Sequence, residues 1–106
     1  MRRLVLQVLS RVTAFVHELS SADQIKIAVD IESLCDRDFE TVYIKTLRGP
    51  IKELIVKRVR IIFCVYGNTL YILHAFFKKS TKTPSKEIKI AEHLHGLLMK
   101  QLGPHN

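Results

Sequence analysis

Two apolar runs dominate the pattern of this chain, Arg60 to Tyr66 and Thr69 to Phe77, both rich in Ile, Val, Leu, Phe and Tyr and separated only by Gly67 and Asn68. A two-residue break containing glycine between β-branched and aromatic runs predicts a β-hairpin. Upstream, Thr41 to Leu47 has the composition of a strand, Arg48, Gly49 and Pro50 interrupt it, and Lys52 to Val56 resumes it. In that second stretch Leu54 and Val56 fall on one face, Glu53 and Ile55 on the other. Lys57 and Arg58 form a basic turn into the hairpin. Both alternations of the hairpin are apolar: Ile62, Cys64, Leu70 and Ile72 on one, Ile61, Phe63, Val65 and Leu73 on the other. Such a sheet is expected to be covered on both sides, its second face lying under the last helix or receiving a partner.

The period changes at both ends of the chain. From Ser10, Val12, Phe15, Val16 and Leu19 recur at helical spacing; a second helix carries Ile25, Ala28, Val29, Glu32 and Leu34 to Cys35, with Ser21 to Gln24 as a capping box. The two are read as short antiparallel helices, followed by a turn at Asp36 to Asp38. The last helix runs from Pro84 to Leu102 with a stripe of Ile88, Ala91, Leu94, Leu98 and Leu102; Thr83 is its expected N-cap, Pro84 its first helical position, and Gly103 and Pro104 its stop. Leu4, Leu6 and Val8 alternate within residues 2–9 and predict a short first strand. The expected fold class is α+β, one domain over residues 1–106, with a small antiparallel-rich sheet of three or four strands, two N-terminal helices and one C-terminal helix.

Charge changes the picture more than composition does. Residues 1–44 carry five Lys/Arg against seven Asp/Glu, residues 45–106 twelve against three, so the net +7 resides in the second half. A half that basic is expected to meet a polyanion, nucleic acid or an acidic protein. Cys35 and Cys64 lack CxxC spacing and sit among apolar residues, which predicts buried reduced thiols and a cytoplasmic protein. The apolar runs are shorter than the ~18 residues that span a bilayer, and the Arg2–Leu9 start lacks the form of a signal peptide, so neither membrane insertion nor export is expected.

Familiar enzyme signatures are missing. The sequence has no HExxH, no GxSxG and no phosphate-cradling glycine loop, and His17, His74, His93, His95 and His105 make no metal pattern. No metal or cofactor is expected. What remains is a set of cations on the sheet and its edges, Lys52, Lys57, Arg58, Arg60, Lys78, Lys79 and Lys82, with Tyr66, Tyr71, His74, Phe76 and Phe77 between them. Cations grip phosphates and aromatic rings stack on unpaired bases, so the mixture suits single-stranded RNA. Guanidinium and ammonium groups also stabilise charge developing on a phosphodiester. Core packing is the competing role for Phe63, Phe76 and Phe77, and a packed, hydrogen-bonded role competes with acid–base work for His74. Arg60 heads an otherwise apolar strand, a costly place unless it faces a groove or a partner.

The runs LRGPIKEL (Leu47 to Leu54), RIIF (Arg60 to Phe63) and LHAFFKKSTKTP (Leu73 to Pro84), followed by KEIKIA, resemble the HigB-like branch of the RelE/ParE toxin superfamily, often described as phage-derived, over about residues 12 to 98. The resemblance implies the toxin of a type II toxin–antitoxin module with a RelE-like fold. It further implies a ribosome-dependent mRNA interferase that cuts mRNA without metal by attack of the 2′-OH on the adjacent phosphate. By position it makes Arg60 the contact to the scissile phosphate and Lys78 and Lys79 the basic pair after the last strand. Lys57 and Arg58 become RNA- or ribosome-binding residues, and Lys82 part of a helix-starting element. The expected catalytic set is thus Arg60, Lys78 and Lys79 with His74 as acid or base, and the expected RNA-binding set is Lys57, Arg58, Lys52 and Lys82. The implied partners are mRNA on the ribosome and a cognate antitoxin, a small helix-turn-helix protein. Two departures stand out: the family's first strand is weak here, and no tyrosine follows Pro84. The alternatives are a ParE-type toxin binding a protein such as gyrase, and a generic basic RNA-binding domain.

Overall fold

The computed structural model describes residues 2–103. Five strands and three helices follow in the order β1 (Val5–Val8), α1 (Ser10–His17), α2 (Ser21–Cys35), a 3₁₀ turn (Phe39–Thr41), β2 (Tyr43–Arg48), β3 (Ile51–Val56), β4 (Val59–Tyr66), β5 (Thr69–Phe77) and α3 (Ser85–Leu102). The α+β class is as expected. The sheet has five strands instead of three or four, in the order β1-β5-β4-β3-β2.

The fifth member is the weakly patterned first strand. It joins parallel to β5, with Leu6 beside Leu70 and Val8 beside Ile72, so that it extends one face of the sheet, Val8 packing against the core and Leu6 remaining exposed. The remaining four strands form an antiparallel meander. Gly67 turns the β4–β5 hairpin at φ 61°, a left-handed conformation in which glycine carries no steric cost. At the β3–β4 turn the same conformation is adopted by Lys57, at φ 56°.

The faces of the hairpin differ from the simple alternation. Phe63 pairs with Ile72 but Ile62 pairs with His74, so Leu73 is an extra residue in β5. The two-residue turn pairs Tyr66 with Thr69, which sets Leu70 opposite Val65 and Ile72 opposite Phe63. Leu70 and Ile72 therefore share a face with Phe63, not with Ile62 and Cys64 as alternation alone grouped them; the bulge then brings Ala75, opposite Ile61, to that same face. One face, with Leu54, Val56, Val59, Ile61, Phe63, Leu70 and Ile72, is buried under Val12 of α1 and Ile27, Leu34 and Cys35 of α2. The opposite face packs Ile51, Ile62 and Phe76 against Ala91 of α3. Only Ala91 of the α3 stripe is fully buried; Ile88, Leu94 and Leu98 are half-buried and Leu102 is exposed.

Two helix starts lie one residue from the expected place. Ser20, not Ser21, caps α2, its hydroxyl accepting from the Asp23 amide at 3.2 Å, while the Gln24 side chain donates back to the Leu19 carbonyl. At α3 the N-cap is Pro84, whose carbonyl accepts from the Glu87 amide; Thr83 is drawn away into a buried hydrogen bond. Pro104 and His105 lie outside the described residues. Among the described residues no helix is long and apolar enough to cross a membrane.

Candidate functional site

Antiparallel pairing builds the site. Val59 at the start of β4 lies opposite Phe77 at the end of β5, and the pairing continues one step further as the Lys78 amide donates to the Arg58 carbonyl at 2.8 Å. The β3–β4 turn, carrying Lys57 and Arg58, is thereby fixed beside the Lys78–Lys79 exit of β5. Arg60 closes the third side. Its Nη1 donates to the carbonyls of Lys57 at 2.7 Å and Val59 at 3.0 Å, so the guanidinium folds onto the turn. The Arg60 ε N–H is buried and has no hydrogen-bond partner among the described residues.

The result is an open hollow of about 480 Å³ lined by Lys57, Arg58, Arg60, Lys78, Lys79, Ser80 and Thr81. Five cations line it and no carboxylate does. Like charges held this close repel one another, and a bound anion relieves that repulsion while accepting their hydrogen bonds. One acid stands near: Asp23, in the first turn of α2, accepts from Lys57 Nζ at 2.9 Å. That hydrogen bond holds the Asp23 carboxyl below the usual carboxylate range, with a smaller contribution from the charge of Arg58.

A second, smaller hollow of about 250 Å³ adjoins the first, lined by Arg58, Phe77, Lys78 and Lys79. The three cations are common to both. The apolar groove between β1, α1 and α2, lined by Leu6, Val12, Val16 and Ile27 among others, offers no comparable charge.

Of the eight residues singled out from the sequence, five are brought together here: Lys57, Arg58, Arg60, Lys78 and Lys79. Three are not. Lys52 pairs with Phe63 and so lies on the opposite face of the sheet from Arg60, with its Nζ donating to Thr46 Oγ1 at 3.2 Å. Lys82 is exposed outside the hollow lining, its carbonyl accepting from Ser80 Oγ. His74 is 5% exposed beneath α3, with Nε2 at 2.7 Å from Glu87 Oε1 and Nδ1 buried without a partner among the described residues. The structure thus gives it a helix-docking contact, away from the hollow.

Three further features escaped the sequence reading. Ser80 and Thr81 add hydroxyls to the lining. Glu53, fully buried, accepts from Thr83 Oγ1 at 2.7 Å and so pins the end of the segment that supplies Lys78 to Thr81. The available signal was an acidic residue inside a mostly apolar strand, IKELIV, which requires a donor where it is buried.

Fold and site together define a small basic α+β protein with five cations gathered around one hollow. The chain belongs to the family described as phage derived protein Gp49-like (DUF891), whose model matches residues 14–95. That family is associated with toxin–antitoxin modules. No curated protein matches the chain significantly.

Proposed function

We propose that this protein is the toxin of a type II toxin–antitoxin module and acts as a HigB-like, ribosome-dependent mRNA endonuclease. The observation that carries the reading is the convergence of Lys57, Arg58, Arg60, Lys78 and Lys79 on one hollow. In the proposed reaction the phosphodiester of an mRNA lies in the hollow. The 2′-oxygen attacks the adjacent phosphorus and loses its proton to solvent; the bond to the 5′-oxygen breaks, and that oxygen takes up a proton. The products are a 2′,3′-cyclic phosphate and a 5′-hydroxyl. Arg60, held by the turn carbonyls, and the Lys78–Lys79 pair stabilise the extra negative charge of the pentacoordinate phosphorane. A metal ion is not required for this chemistry. An acidic antitoxin segment, matched to the same charge, is the natural inhibitor of the site.

The test is expression of the wild type and of Arg60→Ala with mapping of mRNA 5′ ends. The wild type is expected to arrest growth and produce new codon-phased ends bearing 5′-hydroxyls; the variant is expected to stay folded and lose both. Growth arrest without new ends would instead assign a protein target of the gyrase kind, and no arrest at all would leave a plain RNA-binding domain.

A further inference from the structure

Phe77 is the last residue of β5, and its neighbours divide sharply in environment. Ala75 and Phe76 are buried, whereas Phe77 is 44% exposed although it packs on Phe15 of α1, with ring centroids 5.1 Å apart and planes at 51°. The Phe15 contact supports the ring, and its exposed part enters the smaller hollow beside Arg58, Lys78 and Lys79. Those three cations also line the larger hollow. Two adjoining recesses, one lined by five cations and two hydroxyls and one with an aromatic wall, match the two halves of a nucleotide.

Other exposed aromatic residues lack this setting. Tyr43, at 77% exposure, lines neither cationic hollow, and Phe39 faces a recess shared with Ile44, Phe63, Val65 and the single cation Lys52. We infer that Phe77 is a stacking platform for an unpaired base of single-stranded RNA, with the phosphate joined to that nucleotide seated among Arg60, Lys57 and the Lys78–Lys79 pair. The inference rests on the proposed reading of the larger hollow as an RNA phosphate site and extends it to the base. A base already stacked inside a duplex cannot use the platform, so the site selects unpaired strands. Because every base has a π face, it selects them with little regard to sequence.

The experiment measures binding of a short 2′-O-methyl oligoribonucleotide, which cannot be cleaved by 2′-OH attack, against a strand of the same length and backbone made of abasic residues. Stacking of one base on an aromatic ring contributes on the order of tenfold in affinity. The wild type is therefore expected to bind the base-bearing strand about tenfold more tightly than the abasic one. Phe77→Leu, which keeps an apolar contact for Phe15, is expected to bring the ratio close to one, and Phe77→Trp to preserve it. Equal binding of both strands by the wild type would overturn the platform while leaving the phosphate site standing. An unchanged ratio in a folded Phe77→Leu would do the same. Binding of neither strand would overturn the platform together with the reading beneath it. Should Phe77→Leu fail to fold, the wild-type ratio and Phe77→Trp still decide.

Discussion

Neighbouring residues of one strand, Phe76 and Phe77, meet opposite fates, and the difference explains why aromatic residues were the hardest to assign from the sequence. Phe76 lies beneath α3 and Phe77 at the rim of the other face, because successive side chains of a strand point to opposite sides. Composition cannot separate the two; only the position of β5's end relative to α1 does. The thiols were easier, since Cys64 lies between Phe63 and Val65 and Cys35 ends an apolar helix stripe after Leu34, and Cys35 and Cys64 are both free and buried. Burial pushes the Cys64 thiol up to about 11. The unfolded chain releases this proton near pH ~8.5, well before the folded chain does. Stability from this group is therefore complete below that pH and is lost progressively as pH rises through about 11. Urea midpoints measured from pH 8 to 11 should fall for the wild type more steeply than for Cys64→Ala. Parallel slopes in the two proteins would show that the thiol does not contribute. Iodoacetamide at pH 8 should leave Cys64 unmodified until urea is added.

At the scale of elements, the hairpin, the basic turn and three helices could be read directly, because their periods and breakers are local. The errors arose where a tertiary contact outbid a local signal. Thr83 precedes proline and has the form of an N-cap, yet its hydroxyl serves Glu53, thirty residues away in β3. Cross-strand neighbours deepen the pattern: Glu53 and His74 flank Ile62 on adjacent strands, and each meets a residue at the start of α3, Thr83 and Glu87. These two contacts fasten the N-terminal end of α3 to the sheet and hold the far end of the Lys78–Thr83 segment. Thr83→Val removes the donor and leaves a fully buried carboxylate without one, a loss of about 1 to 3 kcal/mol. It should lower the urea midpoint, and the double variant Thr83→Val with Glu53→Leu should recover part of the loss by removing the orphaned buried polar group. A double variant less stable than the single one would show that Glu53 contributes through something other than this bond. Because the segment lines the hollow, Thr83→Val should also weaken RNA binding, whereas a purely structural bond would change stability alone.

Over the whole molecule, the sequence revealed which half carries the charge but not which cations meet. Lys52 was expected to join Arg60 on one RNA-binding surface because both lie on strands of the basic half; pairing with Phe63 sends it to the opposite face. Charge composition cannot resolve this, since it is the β3–β4 register that sorts the two side chains between the faces. Salt dependence of binding distinguishes a gathered site from a diffuse basic surface. Each phosphate neutralised on a single strand contributes about −0.7 to the slope of log K against log salt. Cations spread along a strand would each neutralise a separate phosphate, and five of them would give about −3.5. Five cations around one hollow instead share a small number of phosphates. Two or three such groups give a slope of about −1.4 to −2.1 for an unstructured 2′-O-methyl oligoribonucleotide. In the same titrations Lys79→Ala should reduce affinity at every salt concentration, and Lys52→Ala should leave the curve where it was. A slope near −3.5 that becomes shallower in Lys52→Ala would mean that RNA wraps across both faces, and the hollow would then be one patch among several.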